Sequence, residues 1–493
     1  MKNRRMIASA LILMMISAGS LTACGNANSN NDGSEVSEET EAEIEENEES
    51  EVETGAETET ESETEDQSQD ADAESKSDDS ISVISKDDIT INDTMENSSD
   101  GEHVITVDAE SASYSNIAVN KTGDSSGDEA DFYGENSALF ATNGGALDLS
   151  EIVVTTNGAH ANAVFSYGEG TVVNISDSVI ETYGNCSGGI MTTGGGTMNA
   201  NNLNIHTTGN SSAAIRSDRG GGTVTVTGGS YTTDGTGSPV IYSTADITVN
   251  NALMESTASQ GVVVEGKNSV TLNDVTLVAD NNTKNSDKSD WYQAVMIYQS
   301  MSGDASVGTS SFAMNGGSLT NKNGDIFFVN NTVTEIDLSS ATIVNEDQDG
   351  VFLRAAAAGW GSEGSNGGQV TLTAKVQDII GDMLVDSVSN LNLIMSEGST
   401  FTGAINPDGQ DGEVYVEIEK GSTWTLTSDS YITSLTCDEG SIDLNGHKLY
   451  VDGTEYDGSS STGDAIEQVQ SSGGNGGPGG EGPGSSGKPP AKP

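Results

Sequence analysis

Trp291 and Trp360 are two of the chain's 3 tryptophans, and with Tyr292 and Tyr298 they sit among Asn, Asp and Gln. Planar rings beside amides and carboxylates suit stacking on a sugar face while the polar groups take its hydroxyls. With Arg354 nearby in sequence, these five residues form the candidate ligand-binding set. The competing reading of equal weight is that the rings cover small cores of their own loops. His160 and His206 read as outward or corner residues, because their neighbours carry no acid at a consistent spacing. No catalytic residue and no metal ligand follow from them.

What must position the aromatic set is a repeat. Gly158, Gly184, Gly209 and Gly235 are spaced 26, 25 and 26 residues apart. Two residues before each glycine stands Thr156, Thr182, Thr207 or Thr233, and four before it Val154, Ile180, Ile205 or Tyr231. Nine before it comes Leu149, Ile175, Ala200 or Val226. A further apolar column opens each unit, through Leu139, Val164, Ile190, Ile215, Ile241, Val263, Val295, Phe327, Phe352 and Leu384. Three short apolar-bearing runs per unit, parted by Gly, Asn and Asp, are what one turn of a parallel β-solenoid requires. Each inward side chain would stack on its counterpart one turn away, at about 4.8 Å. Corners would fall at Glu151, Asp177, Asn202, Gly228, Asn251 and Asp274, several of which tolerate positive φ. No window holds a 3.6-residue apolar period long enough for helical repeats.

The expectation is therefore an all-β chain with a solenoid of about twelve turns, roughly 60 Å long. Insertions at residues 281–292, 299–311 and 355–369 interrupt the repeat and carry the aromatic set. Insertions on a solenoid commonly emerge on one side, which makes these a contact patch for a glycan or a host or matrix protein. One column stays open in orientation: Phe140, Phe165, Met191, Arg216, Tyr242, Val264, Met296, Phe328 and Leu353. Interior stacking is the favoured reading, and an exposed partner ladder the alternative.

The repeat grammar of residues 101–393, within an expected β-helix domain of residues 101–400, resembles the right-handed parallel β-helix superfamily, the pectin-lyase-like fold shared by polysaccharide enzymes and bacterial surface adhesins. In the lyase branch an Arg or Lys works beside carboxylates that hold Ca²⁺, which directs attention to Arg216, Arg219, Arg354 and Asp218. Three arginines in scattered turns are a thin match, and the aspartate motifs of the hydrolase branch are not found. Residues 421–451 look like the closing segment of autotransporter-type passenger adhesins, with Trp424, Ser430, Leu435 and residues 441–444 in the pattern's places. No membrane barrel follows in this sequence, so residues 401–456 are expected to be a cap over the last turn.

Lys2, Arg4 and Arg5 precede an apolar run over residues 6–19, then Leu21, Thr22, Ala23 and Cys24. This resembles a bacterial lipoprotein signal over residues 1–23, with Cys24 as the lipidation site. The implied address is the outer face of a bacterial cell membrane, held by a lipid anchor. Residues 24–100 read as an acidic disordered linker, with 28 Asp or Glu and two Lys between Asp32 and Asp100. Residues 457–493 read as a disordered Gly/Pro tail. The formal charge of −59 excludes nucleic acid as a partner. It also disfavours anionic polymers unless a divalent cation such as Ca²⁺ bridges them, and no other cofactor is expected. Cys186 and Cys437 are expected to be buried free thiols. The reading at this stage is a monomeric, non-catalytic surface adhesin or carbohydrate-binding element. The alternative is a divergent polysaccharide lyase or glycoside hydrolase.

Overall fold

A strand with one large apolar residue on its inner face buries that residue only if an equivalent strand lies directly above and below it. The computed structural model, which describes residue 81 and residues 83–469, builds the chain on this rule as a parallel β-helix. One turn runs through Leu139–Thr142, Ala146–Ser150 and Val153–Thr156, and the next begins at Val164–Tyr167. Successive turns pair in parallel, giving a 21-stranded sheet along two adjoining faces and an 11-stranded sheet along the third. The all-β solenoid expected from the repeat is the observed fold.

The file Leu149, Ile175, Ala200, Val226 is continuous, each residue being the register partner of the next. It runs on through Val249, Leu272, Met314, Leu338, Ala374, Met395 and Ile418 to Cys437. A second file, Val154, Ile180, Ile205, Tyr231, Met254 and Leu277, lines the adjoining face. Between these two files the chain turns on one residue in the left-handed region: Glu151 (φ 52°), Asp177 (47°), Asn202 (49°), Gly228 (71°), Asn251 (57°) and Asp274 (51°). These are the expected corner positions. Non-glycine residues accept this conformation here because the corner is repeated and its side chains bond along the axis, as Asn202 Nδ2 does to Asp177 Oδ1 at 2.7 Å.

The glycine column has a different cause. A Cβ on Gly184, Gly209 or Gly235 would lie 1.9 Å from the carbonyl oxygen of the glycine one turn earlier, so backbone contacts backbone there. Beside it runs a buried polar spine. Thr182, Thr207 and Thr233 donate to the carbonyls of Ser187, Ser212 and Ser238, and those serine hydroxyls donate to Gly158, Gly184 and Gly209 at 2.8, 3.1 and 2.8 Å. Thr-x-Gly-x-x-Ser is thus a self-satisfying turn, which explains how so many polar groups are buried in a narrow rod.

Three expectations need correction. The inward column of the 11-stranded sheet passes through Val262, Leu353 and Met383, not Val263, Phe352 and Leu384. Val262-Val263-Val264 and Val351-Phe352-Leu353 are unbroken apolar runs, so the alternation that sets register is silent in them, and a slip of one residue exchanges the faces. The adjacent column accordingly runs Phe140, Phe165, Met191, Arg216, Tyr242, Val263, Met296, Phe328, Arg354, with Val263 and Arg354 in place of Val264 and Leu353. It faces away from the main core, yet it is covered by insertions rather than exposed.

The termini also fold further than expected. Asp93–Asn97 pairs with Ile117–Lys121, inside the segment assigned to the linker, with Met95 packed on the core and Thr94 and Glu96 on the opposite, exposed face. At the far end Ser461 pairs with Cys437, inside the segment assigned to the tail. Leu449–Val451 and Thr454–Glu455 form an antiparallel hairpin beyond the last turns. Residues 1–23, Cys24 and residues 470–493 lie outside the described residues.

Candidate functional site

Every insertion rises over the outer face of the 11-stranded sheet, where a ladder of large side chains would otherwise meet water. The short helix Asp128–Tyr133 covers Phe140, Phe165 and Met191. Residues 281–292 and 355–366 cover Val263, Met296 and Phe328 with Trp291, Trp360 and Ala356. The aromatic set thus divides. Tyr298 (0% exposed) and Trp360 (1%) are core residues of this second cluster, in edge contact at 5.2 Å between ring centres. Trp291 and Tyr292 remain half-buried at its rim. Trp291 lies against Phe328 at 5.5 Å, and the Arg354 guanidinium sits 4.7 Å over its indole while Nε donates to Asp325 Oδ2 at 2.6 Å. Arg354 therefore holds the wall in place.

The rim opens into a small cleft between the insertion and the preceding turns. Trp291 and Tyr292 form one wall, and Gln260, Asn281, Thr283, Lys284, Asn285 and Ser289 supply amides, hydroxyls and one ammonium. Two of its lining residues carry a buried group that lacks a hydrogen-bond partner: the Trp360 Nε1–H donor and the Gln293 Oε1 acceptor. The enclosed space is about 30 Å³. An unpaired buried polar atom costs about 1–3 kcal/mol, so a guest that satisfies both is favoured.

A second polar cluster lies further along the same sheet. Arg216 (3% exposed) pairs through Nη2 with Asp218 Oδ2 at 2.9 Å, and Tyr242 and Tyr298 both donate to Glu265 Oε2. Burial pushes the Asp218 carboxyl up to about 7 in spite of Arg216, and raises Glu265 as well. Arg219 closes the cluster from outside. Its Nε reaches Asp304 at 2.6 Å, its Nη1 reaches Asp128 at 2.8 Å, and its guanidinium stacks 3.6 Å from the Phe132 ring centre. Burial works against its charge, but the bonds to Asp304 and Asp128 outweigh that and hold its pKa up. The three arginines Arg216, Arg219 and Arg354 are thus all tied to carboxylates, Arg216 buried and Arg219 and Arg354 half-buried.

Both histidines acquire acid partners that sequence spacing did not show. His160 Nδ1 lies 2.7 Å from Asp131, which is carried by the short helix, and His206 Nε2 lies 2.7 Å from Asp234. Ligand atoms of Asp131, His160 and Cys186 gather within 4.8 Å, with Asp131 buried and His160 and Cys186 half-buried. Of the two thiols expected to be free and buried, Cys437 is so. The chain matches no protein-family model, no curated protein and no solved structure. The fold and the cleft therefore define its class on their own, as a parallel β-helix bearing one-sided insertions.

Proposed function

We propose that the protein is a surface-displayed carbohydrate-binding β-helix, an adhesin or glycan-binding element without catalysis, whose sugar site is the cleft at Trp291 and Tyr292. The observation that carries this reading is a cleft walled by the half-buried rings of Trp291 and Tyr292, whose lining residues Trp360 and Gln293 carry unsatisfied groups, Nε1–H and Oε1. A sugar lying on Trp291 would direct one hydroxyl inward between them, and Asn281, Asn285 and Lys284 would meet the others. Stacking and a satisfied hydroxyl give orientation as well as affinity. The lipid anchor at Cys24 and an address on a bacterial cell surface belong to this proposal, as does the glycan, or a glycosylated host or matrix protein, as partner.

A glycan-array screen of the ectodomain, followed by titration of any positive sugar, tests it. Trp291→Ala and Gln293→Leu should each weaken binding at least about tenfold, the loss of one stacking or buried polar contact, with thermal unfolding used to confirm the fold. Binding unchanged in both variants would remove the cleft from consideration. Turnover of a polysaccharide with Ca²⁺ present would favour the lyase or hydrolase reading, and would require Arg219 to release its carboxylates.

A further inference from the structure

Two histidine–aspartate pairs approach to the same distance in this molecule, and only one of them is a hydrogen bond. His206 Nε2 and Asp234 Oδ2 lie 2.7 Å apart at the surface and are aligned as partners. His160 Nδ1 and Asp131 Oδ1 are also 2.7 Å apart, yet neither atom has a hydrogen-bond partner, and Asp131 Oδ2 has none either. A hydrogen bond requires the ring N–H to point at the oxygen. In this pair it does not, so the nitrogen and the carboxylate oxygen are directed to a point beside the line that joins them.

As a bare ion pair the arrangement is costly. The Asp131 side chain is fully buried, and a buried carboxylate ordinarily has both oxygens hydrogen-bonded. Among the described residues its ion-pair partner is His160 alone. Arg219, which stacks on the neighbouring Phe132, is committed to Asp128 and Asp304. His160 itself sits in the left-handed region (φ 56°), at a corner that Cys186 (58°) and Ser211 (54°) occupy in the next turns. Its side chain keeps 12% exposure, so one edge of the pair reaches solvent.

We propose that Asp131 and His160 are the two protein ligands of a divalent transition-metal ion, with water in its remaining positions at the exposed edge of the imidazole. An ion about 2.1 Å from both Nδ1 and Oδ1 would see them at about 80°, nearer the right angle of a tetragonal or octahedral site than the wider tetrahedral angle. Imidazole, carboxylate and water in that geometry suit Ni²⁺ or Cu²⁺, whereas Ca²⁺ and Mg²⁺ take oxygen ligands. The ion supplies the buried carboxylate with a counter-charge and accepts the lone pair of an unprotonated Nδ1. Cys186 Sγ also lies within 4.8 Å, but neither ligand role depends on it. Because Asp131 is on the short helix and His160 on the solenoid, the ion fastens the cover over Phe140, Phe165 and Met191 to the rod. The site shares no residue with the sugar cleft and does not rest on that reading.

Titration of the intact, metal-stripped chain with Ni²⁺ by calorimetry, and with Cu²⁺ by electron paramagnetic resonance, tests the assignment. The expected result is one tight equivalent per chain, with the hyperfine pattern of a single coordinated imidazole nitrogen. Asp131→Asn and His160→Asn should each weaken binding at least about tenfold. Asparagine accepts the left-handed backbone at residue 160, and unchanged hydrogen exchange in the solenoid strands checks that both variants fold. His206→Asn, which alters the surface pair, should bind as the native chain does. Ni²⁺ should also slow amide exchange over residues 127–134 in the native chain and in neither ligand variant. No binding by the native chain, binding unchanged in both ligand variants, or binding lost in His206→Asn alone would overturn the assignment.

Discussion

At the scale of single residues, two kinds of position are decided by the turn above and below. Gly209 is fixed by the Gly184 carbonyl, 1.9 Å from where its Cβ would stand. Gly209→Ala should lower stability by about 1–3 kcal/mol, the usual cost of overpacking, as read from urea unfolding. Asp218 is decided by burial. Its folded pKa of about 7 lies above the ordinary 3.8. Between those values the folded chain keeps a proton that the unfolded chain releases, so this group's contribution to stability is present at low pH and lost as pH rises through 7. The carboxyl ¹³C signal of Asp218 should titrate near pH 7, and thermal stability should rise between pH 8 and pH 5. A midpoint near 4 would show that Arg216 outweighs desolvation. Gly209 could be singled out from spacing alone, whereas Arg216 was legible only as one member of a column of open orientation, and nothing in the sequence marked Asp218, two residues on, as buried.

Among the elements, the insertions behave as covers over the 11-stranded sheet, and Arg219 ties two of them together. Its partners stand 85 and 91 residues away, on segments of different turns. Arg219→Gln should release both, seen as faster amide hydrogen exchange over residues 127–134 and 299–309 with the solenoid strands still protected. Trp360→Ala should cost about 3–5 kcal/mol locally, as for other buried aromatic truncations. The same variant should also weaken sugar binding, because it removes a donor that lines the cleft. The aromatic set was visible in the sequence as a concentration of rings in the insertions. Which rings point inward was not, since loops of irregular length carry no period from which a face could be read.

For the whole molecule, each turn contacts only its neighbours, so the ends of the rod are its exposed backbone. The strand Ser434–Cys437 is sealed by the antiparallel pair at Ser461, and Leu449–Val451 by the hairpin. A chain stopped after Cys437 should lose this seal and self-associate through the bare edge. Sedimentation velocity would show it as aggregates absent from the intact protein, and a monodisperse product would mean that the seal is dispensable. The net charge of −59 makes nonspecific association unfavourable for the intact rod and leaves bare edges as the principal hazard.

By itself the sequence determined the solenoid, the path of the file from Leu149 to Val226 and the corner residues. Each follows from local steric rules repeated at constant spacing, so one turn is informative about the next. Tertiary structure alone decided the register through Val262–Glu265, the burial of Tyr298 and Trp360, the clasp at Arg219 and the pairing of Asp93–Asn97 and of Ser461 with the rod. These depend on contacts between segments tens of residues apart and on insertions found once, where neither periodicity nor composition constrains which side chain meets which.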